Sequence, residues 1–322
     1  MTSKVIVKAL KAKLDQWVNS VDDMSVKRAI KDGAIVTGGC IVSLLQGCQP
    51  NDYDVYFKDS DSLVTVVRYY VDKWNADEAH KNKVRILDGT KPHSVASDFA
   101  DHYEDGRVKL FVQSAGVAME QQEHEFNMET DWWQGDDVAL GAEPMSSYSG
   151  YGSEKNENAS KPKFRPVFIS SNAITLSDKV QVVVRFFGDV DQIHTNYDFV
   201  HATCSYDYKT GKVNLPSKAL EAIINHRLWY IGSKYPVCSI LRMRKFIQRG
   251  WTISAGDILK ILYQVSQLDL TDASVLEEQT QGVDSTYFAE AMRAMNEAHK
   301  EGKDGFTVTQ EYLFEVLDRI FS

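Results

Sequence analysis

The sequence of 322 residues predicts an α+β fold, in which a mixed β-sheet flanked by helices is followed by an all-α C-terminal region. Three observations predict this fold. Helix-like and strand-like segments alternate over residues 4–74. Segments rich in β-branched and aromatic residues, typical of strands, follow between residues 164 and 206. From residue 216 onward, apolar residues recur at the spacing of helices.

The composition indicates a globular protein of one large or two ordinary domains. Hydrophobic residues make up 43% and charged residues 25%, which suffices for a core and argues against a disordered chain. No run approaches the roughly 18 apolar residues of a membrane span, and no signal peptide is visible, so we expect a cytoplasmic protein. The net charge of −9 argues against sequence-blind binding of nucleic acid by the whole surface, but it allows a local basic groove.

Residues 4–74 predict a compact unit of helices and strands. The predicted helices cover residues 4–18, 25–31, 40–46 and 60–74, the last with Ser60 as its N-cap. The predicted strands cover residues 34–37 and 52–57. Gly38 and Gly39 form the turn between the first strand and the third helix, and Gly47 ends that helix.

Residues 89–163 behave differently, because they are acidic and poorly periodic. We predict an insertion here, with a strand at residues 108–112 and a mobile loop in the Ser/Gly/Asn-rich tract of residues 146–162. This insertion interrupts a first domain of residues 1–215, which is followed by a helical domain of residues 216–322.

The rest of the chain predicts strands first and helices afterwards. The strands are predicted at residues 167–170, 173–176, 180–187 and 198–206, and a hairpin turn at residues 209–212. The helices are predicted at residues 217–226, 237–249, 255–267, 274–279, 286–299 and 309–321.

Asp52 and Asp54 form a pair of carboxylates on the second predicted strand. Residues i and i+2 of a strand project from the same face, so Tyr53 and Val55 face the other way into packing. Adjacent carboxylates repel one another unless a cation lies between them. Mg²⁺, or Mn²⁺ in its place, is the expected cation, since it accepts one or two carboxylates together with water and substrate phosphates.

Gly38 and Gly39 supply a matching feature just before a helix. Glycine lets a phosphate approach the backbone, and a helix N-terminus offers N–H groups to an anion. A single D-x-D is usually a strand end in solvent, and a single Gly-Gly is usually a turn. In the order strand, Gly-Gly, helix, turn, strand, the two together predict a site for a phosphorylated substrate and a metal ion.

The segment from Thr37 to Gly47, followed after four residues by Asp52-Tyr53-Asp54, resembles the head of the polymerase β-type nucleotidyltransferase superfamily. It is most similar to the bacterial poly(A) polymerase and CCA-adding enzyme group, with the pattern G-G-x-V-R-D-x-L-L-G-x-x-x-x-D-x-D. The resemblance implies a metal-dependent site in which Asp52 and Asp54 bind the metal and Gly38, Gly39 and Ser43 bind the nucleotide. The Arg-Asp of the pattern is Val42-Ser43 here.

A second segment, from Asn196 to Asp207, is similar to the family's R-R-D-F-T-I-N-A-x-x-Y-D. By that match, Asp198 is a third catalytic carboxylate on the sugar side, on a strand beside the D-x-D strand. Asn196 and Tyr197 stand in place of the two arginines, and Arg185 is the expected substitute for one of them at the nucleotide. The alternative for Asp198 is a structural carboxylate that caps a neighbouring turn.

A third, fainter similarity covers residues 236–251, where the family has a helix that reads the incoming base. Lys234, Arg242 and Arg244 are therefore candidate contacts for a nucleic acid or a triphosphate, and they lie in a basic stretch interleaved with aromatic residues. The alternative is a solvated helix face with inward-packed aromatics. His201 is expected in the core, and the histidines show no zinc spacing.

Two hypotheses of function follow. In the first, the protein is an enzyme that transfers a nucleoside monophosphate from an NTP, with ATP expected, to a hydroxyl of an RNA 3′ end, a protein or a small molecule. In the second, the fold is kept as a binding or assembly module with weakened catalysis, as in a phage-encoded protein. The replaced charged residues favour the second, and the retained Asp52 and Asp54 favour the first.

Overall fold

The structure, a computed structural model, describes residues 2–78, 80, 82–90, 106–112, 117–119 and 162–270, together with Asp272, Val275, Glu278, Gln279, Glu311 and Phe314. The predicted loop at residues 146–162 and the predicted helices at residues 286–299 and 309–321 lie almost wholly outside the described residues, and the helix predicted at residues 274–279 lies partly outside them.

The α+β class is confirmed. The described helices are α1 Ser3–Ser20, α2 Met24–Gly33, α3 Gly39–Gln46, α4 Ser60–Ala76, α5 Val190–His194, α6 Ser217–Ile224, α7 Pro236–Gln248 and α8 Ala255–Ser266. The strands are β1 Ala34–Thr37, β2 Tyr53–Phe57, β3 Val84–Asp88, β4 Val108–Val112, β5 Val117–Met119, β6 Pro166–Ser170, β7 Ala173–Leu176, β8 Val180–Phe187, β9 Ser205–Asp207, β10 Lys212–Asn214, β11 Arg227–Leu228 and β12 Thr252–Ile253.

The main sheet is mixed and runs in the order β10-β9-β1-β2-β8-β7-β6-β5. β1 pairs antiparallel with β2, with Val36 opposite Val55, so the end of β1 lies beside the start of β2. β2 pairs in parallel with β8, with Asp54 opposite Gln181. The segment before α3 and the start of β2 therefore lie side by side, at the same end of the two central strands β1 and β2.

The two faces of this sheet are covered differently. Val36, Val55 and Val182 point into the main core, which also holds the apolar faces of α1, α2 and α4. A smaller cluster of Ile35, Tyr56 and Ile193 covers the opposite face, where α5 lies. Because side chains alternate along a strand, Asp54 shares the face of Tyr56, under α5.

Local chemistry sets the helix ends in this unit. α4 begins at Ser60, but its N-cap is Asp59, whose side chain accepts a hydrogen bond from the Ser62 N–H at 2.7 Å. The prediction of Ser60 as N-cap was wrong by one residue, because the Asp59 carboxylate already satisfies the first turn. α3 ends at Gln46, and its C-cap Gly47 adopts the left-handed conformation with φ of 86°.

The prediction of a strand at residues 198–206 was wrong except at its end, where β9 lies. Residues 198–203 form a bend and a 3-10 helix, Val200–Ala202. Their backbone partners come from a distant loop, because the Val200 N–H donates to the Trp229 oxygen and the Ile231 N–H to the Asp198 oxygen. Asp198 is therefore not on a strand beside β2.

The region from residue 217 also contains a feature that periodicity did not predict. β11 and β12 form a parallel pair between the helices. Ala219 of α6 and Ile261 of α8 belong to the same core cluster as the sheet. The division of the chain near residue 215 stays a prediction. None of the described helices is long and apolar enough to span a membrane.

Candidate functional site

Gly38 is the point where three parts of the chain meet. It caps the N-terminus of α3 with φ of 90°, a conformation that residues with a Cβ rarely adopt. A Cβ built there would lie 3.5 Å from Asp54 Oδ2 and 3.5 Å from the Tyr197 hydroxyl. The glycine, the carboxylate and the phenol therefore line one corner, which we call the Gly38 corner.

Asp54 faces this corner, and Asp52 lies close enough for its charge to act on the same helix start. Asp54 is half-buried on β2, and Asp52 is exposed immediately before it. Burial first, and then the charges of Asp54 and Asp52, raise the pKa of the Cys40 thiol in the first turn of α3. Two negative charges thus act on the start of one helix, which is the arrangement that attracts a cation.

The start of α3 is open to an anion. Gly38 offers no side-chain cap, so no side chain of the N-cap residue occupies the first N–H groups of the helix. Gly39 is exposed, and a Cβ built on it would have no neighbour within 4 Å. Ser43 is half-buried four residues further, about 6 Å along the helix, on the side of Gly39. The predicted residues Gly38, Gly39, Asp52 and Asp54 are therefore brought together.

Two tyrosines, Tyr56 and Tyr197, lie close to Asp54. Tyr56 lies two residues after Asp54 on β2, and its ring centre lies 6.3 Å from that of Tyr197. Burial, the neighbouring tyrosine and the charge of Asp54 raise the pKa of Tyr197 well above its ordinary value. Burial and Asp54 likewise raise the pKa of Tyr56. Both phenols therefore stay protonated and can donate hydrogen bonds.

Thr37, the last residue of β1, connects this pair to α5. Its hydroxyl donates to the Cys204 carbonyl oxygen at 2.7 Å and lies 2.8 Å from His194 Nε2. A threonine has one hydroxyl hydrogen, so His194 donates from Nε2. Burial lowers the pKa of His194, which favours the neutral ring. Sequence reasoning missed Thr37, His194 and Tyr56. The i+2 spacing from Asp54 is a signal that could have found Tyr56.

Asp198 contacts Arg242 instead of β2. Arg242 NH1 lies 2.6 Å from Asp198 Oδ2, with the Asp198 side chain 8% exposed. Burial acts to lower the pKa of Arg242, but the charge and hydrogen bond of Asp198, together with Cys238 and Tyr56, raise it overall. Arg242 also acts on Tyr56. The Asp198–Arg242 pair is therefore near enough to Tyr56 for the charge of Arg242 to act on it. The residue beside Asp54 on β8 is Gln181, not Asp198.

Arg185 and Lys234 are brought together at a different place. Arg185 is buried on β8 with its guanidinium carbon 4.5 Å from the centre of the Tyr235 ring, and Lys234 Nζ lies 5.6 Å from the same ring. Arg185 follows Gln181 by four residues, about 13 Å along the strand. Its surroundings are therefore those of Tyr235, and the prediction that Arg185 binds the nucleotide stays a prediction.

Arg244 and His201 have simpler surroundings. Arg244 is exposed on α7, two residues from Arg242 and so on the opposite side of the helix. His201 is 2% exposed among aromatic rings, with Phe246 at 4.4 Å and Trp251 at 4.6 Å between ring centres. Burial lowers its pKa to about 4, so the expectation of a core histidine is confirmed.

The donor set at the Gly38 corner fits a hard divalent cation. Among the described residues, no group of three or more His, Cys, Asp and Glu side chains could hold a metal ion. Mg²⁺ does not need such a group, because it takes one or two carboxylates and completes its coordination with water and phosphate oxygens. Asp52 and Asp54 could supply the carboxylates.

The family relationship is shown by the sequence. A model of the Gabija anti-defense 2 (Gad2) family matches residues 8–226, about two thirds of the chain. The chain belongs to the Gad2 family. A protein of Bacillus phage SPbetaL7 called Gabija anti-defense 2 is 26% identical over 108 residues, which are 33% of this chain and 27% of that protein. This Gad2 chain therefore aligns with about a quarter of that relative's length.

Three solved structures resemble this Gad2 protein, with low sequence identity and low TM-scores. A tRNA-processing enzyme with CTP has 11% identity and a TM-score of 0.36, over 87% of this chain and 57% of its own. The CCA-adding enzyme of Bacillus stearothermophilus with CTP has 12% identity and a TM-score of 0.37, over 88% and 52%. That of Thermotoga maritima complexed with tRNA has 10% identity and a TM-score of 0.35, over 95% and 68%. The first two are matched over about half of their length, and such loose superpositions assign no role to any residue here.

Proposed function

We propose that this Gad2 protein is a metal-dependent nucleotidyltransferase, which transfers NMP from an NTP to a hydroxyl and releases pyrophosphate. One observation carries the proposal: Asp54 Oδ2 lies 3.5 Å from the position of a Gly38 Cβ, at the N-terminus of α3. A helix end suited to phosphate and carboxylates suited to a cation thus share one corner.

Each residue of the corner has a role in this proposal. Asp52 and Asp54 would hold Mg²⁺ or Mn²⁺, which supplies positive charge to the phosphates when it is bound. The N–H groups at Gly38 and Gly39 would hold the triphosphate, with Ser43 one turn further along. Tyr56 and Tyr197 keep the Asp54 carboxylate in position, and Tyr197 also faces the triphosphate at Gly38.

The reaction balances without a further reactant. The acceptor oxygen forms a bond to the α-phosphorus, and the bond between that phosphorus and the bridging oxygen to the β-phosphate breaks. The electron pair of that bond leaves with pyrophosphate, and the hydroxyl proton goes to solvent. The protein contributes position and charge, which account for most of the catalysis in phosphoryl transfer.

The family name suggests where the acceptor lies. The phage relative is called Gabija anti-defense 2. We place the acceptor hydroxyl, on a protein, an RNA 3′ end or a small molecule, within that defense. ATP is our expected donor.

A second function, a binding or assembly module, is favoured by a specific observation. The residue opposite Asp54 on β8 is Gln181, so the neighbouring parallel strand adds no carboxylate at that position. The family's charged pair after the glycines is also replaced by Val42, which is buried, and Ser43. In this function, the protein would bind a nucleotide or a partner at the corner without transferring anything.

Labelled NTPs separate the two functions. Each of the four NTPs, labelled at the α-phosphate, is incubated with Mg²⁺ or Mn²⁺ and with acceptors from cells that carry Gabija or lack it. The enzyme predicts label on an acceptor that depends on metal, and at least about a 100-fold loss in Asp52→Asn/Asp54→Asn. The matched control is Asp22→Asn/Asp72→Asn, which removes two exposed carboxylates. Nucleotide binding without label transfer in any mixture would support the binding module instead.

A further inference from the structure

His194, the last residue of α5, contacts two of the segments that bound the Gly38 corner. Its Nε2 lies 2.8 Å from the hydroxyl oxygen of Thr37, the residue directly before Gly38. Its carbonyl oxygen accepts a hydrogen bond of 3.0 Å from the Tyr197 N–H, and its ring centre lies 4.9 Å from that of Tyr197. One residue therefore links the glycine of the corner to the tyrosine whose hydroxyl faces it.

Thr37 is held from its other side by β9. It is buried at the end of β1, where it lies opposite Ser205 in the antiparallel pair. Its hydroxyl donates to the Cys204 carbonyl oxygen at 2.7 Å, so the same oxygen is left to accept from the His194 ring. The Thr37 side chain cannot turn without breaking two hydrogen bonds. The peptide that enters Gly38 is therefore fixed between β9 and α5.

α5 is itself anchored, although it has only five residues. A helix of this length is not stable alone and depends on its contacts. Its N-terminus has a capping box, in which the Asp189 side chain accepts from the Gln192 N–H at 2.8 Å and the Gln192 side chain accepts from the Asp189 N–H at 2.9 Å. Ile193 is buried in the small cluster with Tyr56. These contacts hold His194 in place against the sheet.

The His194 ring acts toward Thr37 as a hydrogen-bond donor. Burial lowers the pKa of His194, and the charge of Asp191 acts in the opposite direction. A neutral imidazole carries one hydrogen, and the contact with Thr37 assigns that hydrogen to Nε2. A donor with a fixed direction holds its acceptor at one place, which is what a binding site needs from the residues around it.

We propose that His194 is a positioning residue, which holds Gly38 and Tyr197 at the separation that admits a metal-bound triphosphate. It acts through the Thr37 hydroxyl on one side and through its own carbonyl and ring on the other. This role rests on the proposed function, because it concerns the nucleotide affinity of that same corner. A site whose groups are already held in position has less to order when a ligand binds, so it binds more tightly.

Calorimetry of the full chain with Mn²⁺ and a non-hydrolysable ATP analogue tests this role. Thr37→Val and His194→Leu each remove the hydrogen bond between the two side chains, and we expect each variant to bind about fivefold more weakly than wild type. Thr37→Ser keeps the hydroxyl, and His194→Gln keeps an N–H donor on a chain of similar reach. Both should bind within about twofold of wild type. A merely structural role would not predict this rescue by the conservative variants.

Two further variants guard against a general effect on folding. Thr65→Val is the matched control, because it removes a hydroxyl that donates to the Asp61 carbonyl oxygen at 2.7 Å on α4, and it should bind as wild type does. Thr37→Val/His194→Leu should bind about as weakly as Thr37→Val alone, because the bond that His194→Leu removes is already lost. His194 is only half-buried, so His194→Leu keeps the test available if Thr37→Val does not fold.

The protonated nitrogen of His194 is a readout that needs no ligand. Nitrogen NMR of the ring, assigned by comparison with His194→Gln, should show the hydrogen on Nε2 and a shifted Nε2 signal in Thr37→Val. A hydrogen on Nδ1 would overturn the positioning role. Equal affinities in wild type, Thr37→Val and His194→Leu would overturn it too, but would leave the nucleotide site at Gly38 standing. No binding of the analogue by wild type would overturn the proposed function and this role together.

Discussion

The Asp54 carboxylate and the Tyr197 hydroxyl meet over Gly38, since each lies 3.5 Å from the point where a side chain of Gly38 would begin. Asp54 comes from β2 and Tyr197 from the loop after α5, so the fold brings together residues far apart in sequence. The space above Gly38 is bounded by a negative group and a hydrogen-bond donor. This space is where a metal-bound triphosphate would lie.

Gly38→Ala should weaken nucleotide binding strongly while it lowers the stability of the protein only slightly. The substitution forces a Cβ onto a residue with φ of 90°, and the methyl group would enter the corner. We expect about 1 kcal/mol of lost stability, or a few degrees in Tm. The affinity for nucleotide, measured by calorimetry in the presence of Mn²⁺, should fall by at least about tenfold.

Gly211→Ala is the matched control for this strain. Gly211 also has a positive φ, 68°, but a Cβ there would have no neighbour within 4 Å. The control should lose similar stability with unchanged nucleotide binding. Equal binding by both alanine variants would show that the space over Gly38 is not used.

Tyr197→Phe should impair the site with little change in fold. The loss of one hydroxyl from a partly buried side chain costs about 1 kcal/mol of stability. We expect the KM for NTP to rise if the hydroxyl mainly holds phosphate, and kcat to fall if it mainly positions Asp54. Tyr208→Phe, which removes a hydroxyl bound to Asp15 at 2.7 Å, is the control. Unchanged kcat and KM in Tyr197→Phe would refute its role.

The Asp198–Arg242 pair should show strong coupling in a double-mutant cycle. Arg242→Ala leaves the buried carboxylate of Asp198 without this cation, and we expect a loss of about 2 kcal/mol, since Arg242 itself is partly exposed. Arg242→Ala/Asp198→Asn should recover part of that loss. Additive losses, measured by urea unfolding, would mean that the pair is not coupled.

His201 should make the stability depend on pH. Its pKa is lowered to about 4 in the folded protein by burial, whereas an exposed histidine titrates near 6.5. The unfolded chain therefore binds the proton first, and stability falls as the pH falls from about 6.5 to about 4, with no further loss below that range. The full effect is about 3 kcal/mol.

His201→Phe should remove most of this dependence. The pKa of His194 is also lowered by burial, so a smaller slope of the same sign should remain. Urea unfolding at several pH values measures both proteins. The same slope in wild type and His201→Phe would contradict the assignment to His201.

Local spacing explains which parts of the site were predictable. The i and i+2 positions of Asp52 and Asp54 and the glycines before α3 depend on a few consecutive residues, and the structure brings them together. Asp198 depended on a distant partner instead. The loop at Trp229 and Ile231 supplies its backbone hydrogen bonds, so a strand-like sequence formed a bend.

Binding of Mn²⁺ together with a non-hydrolysable ATP analogue tests the Gly38 corner most directly, because it needs no acceptor. Calorimetry should show that the analogue binds wild type only when Mn²⁺ is present, and that Asp54→Asn weakens binding by at least about tenfold. Asp72→Asn, an exposed carboxylate on α4, should bind as wild type does. Binding that is independent of Mn²⁺, or equal in Asp54→Asn and wild type, would contradict a metal-dependent nucleotide site at Gly38 and Asp54.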